Sequence, residues 1–159
     1  KPAFKDGVDP GGILRDVHDL YAKKTEGEGI LLEIEVDESI RPGRYDPDGV
    51  HGLLVNLVGN AIDACRFDPS EGKEEHVIRL RCRGDGAGGV VFEVQDNGAG
   101  IPEEYSDKVF EDFFSTKGTE GTGVGLLVVQ KVAREHGGSV TFESSQGQGT
   151  TFRVHVPSA

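Results

Sequence analysis

Hydrophobic and polar positions along the chain follow two periods, and the period switches at Gly, Pro and Asp residues that mark turns. From Pro10 to about Lys24, Ile13, Leu14, Val17, Leu20 and Tyr21 recur at helical spacing behind Asp9, which predicts an amphipathic helix with Asp9 as N-cap. Leu31 to Val36 alternates with period two and reads as a strand, and Gly43-Arg44-Tyr45 adds a short one after the Arg41-Pro42 turn. Asp46 to about Phe67 predicts a long helix capped by Asp46 or Asp48, with Pro47 in its first turn. Its apolar residues cover so much of its circumference that it should be central and buried.

Further on, Val77 to Cys82 and Val90 to Gln95, joined through Gly84 to Gly89, predict an antiparallel hairpin. Gly98 to Gly123 is rich in turn residues, with one short helical stretch near Asp107 to Asp112. A connection of that length is uncommon unless functional, which suggests a lid. Gly125 to His136 reads as a helix stopped by Gly137-Gly138, and Ser139 to Ser144 pairs with Thr150 to Val156 around Gly147-Gln148-Gly149. No segment repeats. Helices interleaved with hairpin-connected strands predict a two-layer α/β sandwich with the helices on one sheet face.

Composition narrows the chemistry. A length of 159 residues suits one domain, and 35% hydrophobic with 28% charged residues excludes disorder and coiled coil. With 17 basic against 28 acidic residues the net charge is −11, so a non-specific grip on nucleic acid or anionic lipid is disfavoured and any polyanion must be held locally. No apolar run approaches the ~20 residues of a membrane span, and the first residues carry no apolar signal core. Cys65 and Cys82 form no C-x-x-C pair, which predicts reduced thiols and a cytoplasmic setting. Glycine, at 24 residues, is about twice the ~7% average and clusters in the second half, so backbone geometry there is expected to be functional.

Three constellations carry chemistry. Asn56, Asn60 and Asp63 fall at i, i+4 and i+7 of the long helix and share one face. A single asparagine there would bond to neighbouring backbone; two, stacked and joined by a carboxylate, suit Mg²⁺ or phosphate, because amide carbonyls are hard oxygen ligands. Asp96-Asn97-Gly98-Ala99-Gly100-Ile101-Pro102 closes an apolar strand with a carboxylate between glycines. It makes a good turn, yet no return strand follows, and such a carboxylate could accept a hydrogen bond from the amine of a flat ring. Gly118 to Leu126 runs into a helix and offers backbone N–H groups and a positive dipole end to an anion. It is no dinucleotide fingerprint, since Leu126 stands in place of the final glycine, and no phosphate-loop or protein-kinase motif accompanies it.

Taken in order, Asn56-Leu57-Val58-Gly59-Asn60-Ala61, Asp96 to Pro102, Phe110 to Gly118, Gly121-Thr122-Gly123-Val124-Gly125-Leu126 and Gly147 to Phe152 resemble the catalytic, ATP-binding domain of bacterial sensor histidine kinases, in the GHKL or Bergerat superfamily. The resemblance spans essentially the whole chain. It implies a mixed, mostly antiparallel sheet packed against about three helices, an ATP lid, and ATP with Mg²⁺ as ligands. It implies Asn60 as Mg²⁺ ligand, Asn56 near the phosphates, and Asp96 as acceptor for the adenine amine, with Gly98 and Gly100 making room for the base beside Ile101. Phe110 to Gly121 would form the lid, including Thr116 and a γ-phosphate contact from Lys117. Gly121, Thr122, Gly123, Val124, Gly125 and Leu126 would lie at the phosphate-facing helix start, with Thr150 near the adenine. ATP-hydrolysing members of the superfamily place a glutamate where this chain has Asn56, and an amide cannot be a base for water. That difference points to phosphoryl transfer, with Asn56, Asn60 and Lys117 as the catalytic set.

Two departures matter. The helical hairpin bearing the phosphoaccepting histidine is absent: His18-Asp19-Leu20 matches it only superficially, because Tyr21 replaces the basic residue. Asp63 stands where many members carry a basic residue, and could orient a metal-bound water or Arg66. The expectation is therefore an excised, monomeric domain, residues 1–159. It would phosphorylate a histidine on the dimerisation domain of its own parent protein, with a response regulator downstream and no nucleic-acid or membrane contact. The alternatives are a degenerate nucleotide-binding signalling module and a related serine kinase.

Overall fold

In the computed structural model of the chain, residues 1–110 and 124–159 are described. The elements follow the order β1 (Lys5–Val8), α1 (Pro10–Gly27), β2 (Ile30–Val36), β3 (Gly43–Tyr45), α2 (Pro47–Arg66), β4 (His76–Gly84), β5 (Val90–Asp96), a 3₁₀ helix (Glu103–Lys108), α3 (Val124–Glu135), β6 (Ser139–Ser145) and β7 (Gly149–Val156). Asp9 caps α1 as expected, its carboxylate accepting the Gly11 N–H at 3.0 Å. Asp46 is the N-cap residue of α2, but its side chain makes no capping bond and Asp48 lies within the first turn. The Asp46 N–H is instead held from α3, donating at 3.0 Å to Nε2 of His136, whose Nδ1 lies 2.9 Å from the Val132 carbonyl. At this same C-terminal end of α3, Gly137 at φ 75° closes the helix, with its N–H to the Arg134 carbonyl and that of Gly138 to the Ala133 carbonyl.

Five strands form one mixed sheet in the order β2-β4-β5-β7-β6, in which β2 and β4 are parallel and every other pair antiparallel. The parallel pair requires a crossover, which α2 supplies. The period-two pattern explains the layering. Ile78, Leu80 and Cys82 of β4, Val90, Phe92 and Val94 of β5, and Phe152, Val154 and Val156 of β7 are buried on one face. There α2 packs against the sheet between α1 and α3, its Leu53, Leu54, Leu57, Val58 and Ile62 at most 1% exposed. The opposite face carries charge pairs across neighbouring strands, Arg79 with Glu33 at 2.8 Å and Arg153 with Glu93 at 2.5 Å.

Two features escape the hydrophobic pattern. β1 lies in a polar stretch and pairs antiparallel with β3, apart from the main sheet. Of the helical stretch expected near Asp107 to Asp112, the last two residues lie outside the described ones; the described part holds the end of a 3₁₀ helix, Glu103–Lys108, behind Pro102, where proline presets the backbone for a tight turn. No described helix is long and apolar enough to cross a membrane. Cys65 and Cys82 are free and buried, and burial pushes both thiols up to about 12. Neither is expected to react with a thiol reagent at pH 8 until the protein is denatured, when titration should count both.

Candidate functional site

Asp96 is the last residue of β5, 7% exposed, and accepts the Gly98 N–H at 2.9 Å through Oδ1. The turn it begins is tied down on every side. Asn97 accepts the Val77 N–H at 2.8 Å and donates to the Glu75 carbonyl at 2.9 Å, stapling the turn to the start of β4. The Ala99 N–H reaches the Ala64 carbonyl, at the end of α2, at 2.9 Å, and the Gly147 N–H reaches the Ala99 carbonyl at 2.7 Å. The Ile101 N–H donates to Ser144 Oγ at 2.7 Å, and that hydroxyl lies 2.8 Å from Oγ1 of Thr150. Thr150, 5% exposed, pairs with Asp96 across β5 and β7. Three candidates of one turn, Asp96, Gly98 and Ile101, thus meet Thr150 from the far end of the chain where strand ends meet the end of α2.

The glycines here are required by packing. A Cβ at Gly98 would lie 2.5 Å from the Ala64 backbone, one at Gly100 2.2 Å from the Ser145 carbonyl oxygen, and one at Gly149 2.0 Å from the Asp96 carbonyl oxygen. Space for a base is what the resemblance implied at Gly98 and Gly100. In the structure the side of each that a Cβ would fill is occupied by neighbouring backbone, because three segments meet at one turn.

Asn56 and Asn60 are half-buried on α2, and among the described residues no hydrogen bond engages either amide. With Ala64 they form an i, i+4, i+8 stripe that ends against the Asp96 turn. Two hard amide oxygens on one half-buried stripe fit a Mg²⁺ ion that keeps most of its waters. Among the described residues Asp63 bonds neither amide: it lies 3.8 Å from Arg66, which bonds Glu28, the residue that follows α1, at 2.9 Å. Of the two roles open to Asp63, orienting Arg66 is the one with a contact. Burial, with the Asp63 charge second, raises the pKa of Tyr21 across from it.

Leu126 stands in the first turn of α3, as expected for the helix start. Its side chain is 7% exposed within the hydrophobic core and anchors α3, which leaves only its backbone to face an anion; the first turn of a helix on a sheet must bury one side. Phe110 stacks edge-on against Phe142 at 6.0 Å and Phe152 at 6.5 Å, which fixes the first residue of the expected lid. Thr116, Lys117, Gly121, Thr122 and Gly123 lie outside the described residues, and Val124 and Gly125 are placed only as the start of α3.

One group went unnoticed in the sequence. Asp68, whose side chain has no solvent exposure, accepts from Lys73 Nζ at 2.5 Å, lies 2.8 Å from His76 Nε2, and accepts the Ser70 N–H at 3.0 Å through its other oxygen. Burial pushes its carboxyl up, but the bonds from His76, Lys73 and Ser70 outweigh that and hold it well below the usual carboxylate range. Lys73 also donates to the Gly98 carbonyl at 2.9 Å. The Pro69 to Glu75 stretch read only as a polar turn, and an acid, a lysine and a histidine at spacings of five and three residues match no local motif.

Fold and turn together define the sandwich class of the histidine-kinase catalytic domain. The solved catalytic domain of histidine kinase ThkA superposes with a TM-score of 0.81 at 29% identity, covering 98% of both chains. Full-length ShkA in complex with AMPPNP gives 0.84 at 27% identity, covering all of this chain and 32% of that one. Residues 45–159 match the family described as Histidine kinase-, DNA gyrase B-, and HSP90-like ATPase, and the chain belongs to that family. It is 30% identical to the sensor histidine kinase ZraS of Salmonella typhi over 99% of its own length and 32% of that protein's. It is 34% identical to the sensor kinase CckA of Brucella abortus, over 94% and 17% respectively. The chain therefore spans a third or less of these relatives.

Proposed function

We propose that this domain binds Mg-ATP and donates the γ-phosphate to a histidine on a separate dimerisation domain of the same parent protein, passing a signal to a response regulator. The observation that carries this reading is the buried Asp96 carboxylate at the end of β5, held by the Gly98 N–H and set against the end of an α2 stripe bearing two available amides. Asp96 accepts the adenine amine. Asn60 holds the metal, with Asn56 beside the phosphates, and a Mg²⁺ ion bound there would neutralise phosphate charge. Lys117 contacts the γ-phosphate. Because Asn56 is an amide, water is not activated, and the chain's contribution is alignment of a nucleotide for an outside nucleophile.

The test adds a dimeric hairpin bearing a phosphoaccepting histidine to the domain with labelled ATP. An acid-labile, alkali-stable label that needs Mg²⁺ and falls at least about tenfold in Asn60→Ala is expected. Rapid ATP hydrolysis by the domain alone, abolished by Asn56→Ala, would refute the kinase reading. Nucleotide binding without any transfer would favour a signalling module.

A further inference from the structure

We propose that Lys73 is a positioning residue for base recognition: gripped by the buried Asp68 carboxylate, its ammonium holds the Gly98 carbonyl and so fixes the turn that aims Asp96. This rests on the reading of Asp96 as acceptor for the adenine amine.

The geometry is a relay with few free parts. Asp68 is fixed by Ser70 and His76 and holds Lys73 Nζ at 2.5 Å, so a side chain that is ordinarily mobile has one position, only 18% exposed. From there Nζ reaches the Gly98 oxygen at 2.9 Å, while the Gly98 N–H bonds Asp96 at 2.9 Å. Gly98 is thus held at both polar ends, one by the recognising carboxylate and one by a cation on the α2–β4 connection. Asn97 fixes the middle of the same turn to β4 through backbone groups, which sets its distance from the sheet. Ala99 ties the turn to the end of α2 through the Ala64 carbonyl, and Lys73 adds a charge-assisted hold on the Gly98 carbonyl, next to Asp96. A charge-assisted bond to a carbonyl is among the stronger ones available to a turn, and its loss leaves a glycine as the pivot beside Asp96.

The test measures, by titration calorimetry on the 159-residue chain with Mg²⁺, the affinity for a non-hydrolysable ATP analogue and for its inosine counterpart, in which an oxo group replaces the 6-amine. Lys73→Met is expected to weaken the adenine analogue about tenfold and leave the inosine analogue nearly unchanged, so that base preference shrinks, whereas Lys73→Arg keeps most of the preference. Since Lys73→Met also strands a buried carboxylate, thermal melting is followed alongside in the double variant Lys73→Met with Asp68→Asn. That pair should recover melting temperature but not base preference. Base preference that stays at the wild-type value in Lys73→Met, or returns together with melting temperature in the double variant, overturns the proposal. Asp96→Asn separates the two levels. If it abolishes preference while the Lys73 variants keep it, only the role of Lys73 falls; if it too keeps the wild-type preference, the reading of Asp96 falls and the role of Lys73 with it.

Discussion

Replacing Asp96 by Asn is expected to lower the affinity for Mg-ATP by about a hundredfold, close to 2.7 kcal/mol, with little change in melting temperature. The asymmetry comes from what the Gly98 N–H and the purine amine each ask of the side chain. Oδ1 takes the Gly98 N–H, a bond that an amide oxygen can still accept, so the turn survives. The purine amine, by contrast, needs an acceptor, and an asparagine ordered by the Gly98 bond turns its own NH₂ group toward it. A donor facing a donor in a site 7% exposed loses the bond and leaves two desolvated groups unpaired. Calorimetric titration of the variant against the wild type decides it. Equal affinities would mean that the base is recognised elsewhere.

The second large effect falls on stability. Gly149 has φ 127° and opens β7 one residue before Thr150, the partner of Asp96, where an added Cβ would stand 2.0 Å from the Asp96 carbonyl oxygen. Gly149→Ala is therefore expected to cost about 3 kcal/mol or more, a melting temperature lower by roughly 10 °C for a chain of this size. Gly86→Ala supplies the contrast: φ is 83° but nothing lies within 4 Å of the added carbon, so only the strain of a left-handed backbone, about 1 kcal/mol, is due. Circular dichroism melts of the two variants measure both. Equal, small shifts would show that the backbone around Asp96 yields, and the tight geometry of the site would then not be a constraint of the fold.

Regular periodicity made most of the layers legible. The helix over Pro10–Gly27 and the buried one over Pro47–Arg66 stood out because a 3.6-residue pattern of Leu, Ile and Val can be satisfied by only one local structure. The β4–β5 and β6–β7 hairpins stood out because alternating residues flank glycine-rich turns. β1 did not, since an edge of four residues, Lys5-Asp6-Gly7-Val8, has no alternation to read and is a strand only because β3 lies beside it. Asp46 is the N-cap of α2 as its position suggests, but the partner of its N–H is His136, ninety positions away, which no local pattern shows.

The same division holds for the site. The order of polar boxes along the chain, with Asn56 and Asn60 one helical turn apart and Asp96 at the end of an apolar strand, is a property of sequence, because periodicity and turn chemistry are local. That Asp96 meets Thr150 across a strand pair, that Gly98 and Gly100 are filled by the backbones of Ala64 and Ser145, that Leu126 turns into the core, and that Lys73 reaches Gly98 from a buried Asp68 were decided only by the tertiary structure. Each of these depends on which segments become neighbours. Such contacts join residues tens of positions apart, whose pairing leaves no period in the chain and is fixed only when the sheet closes over α2.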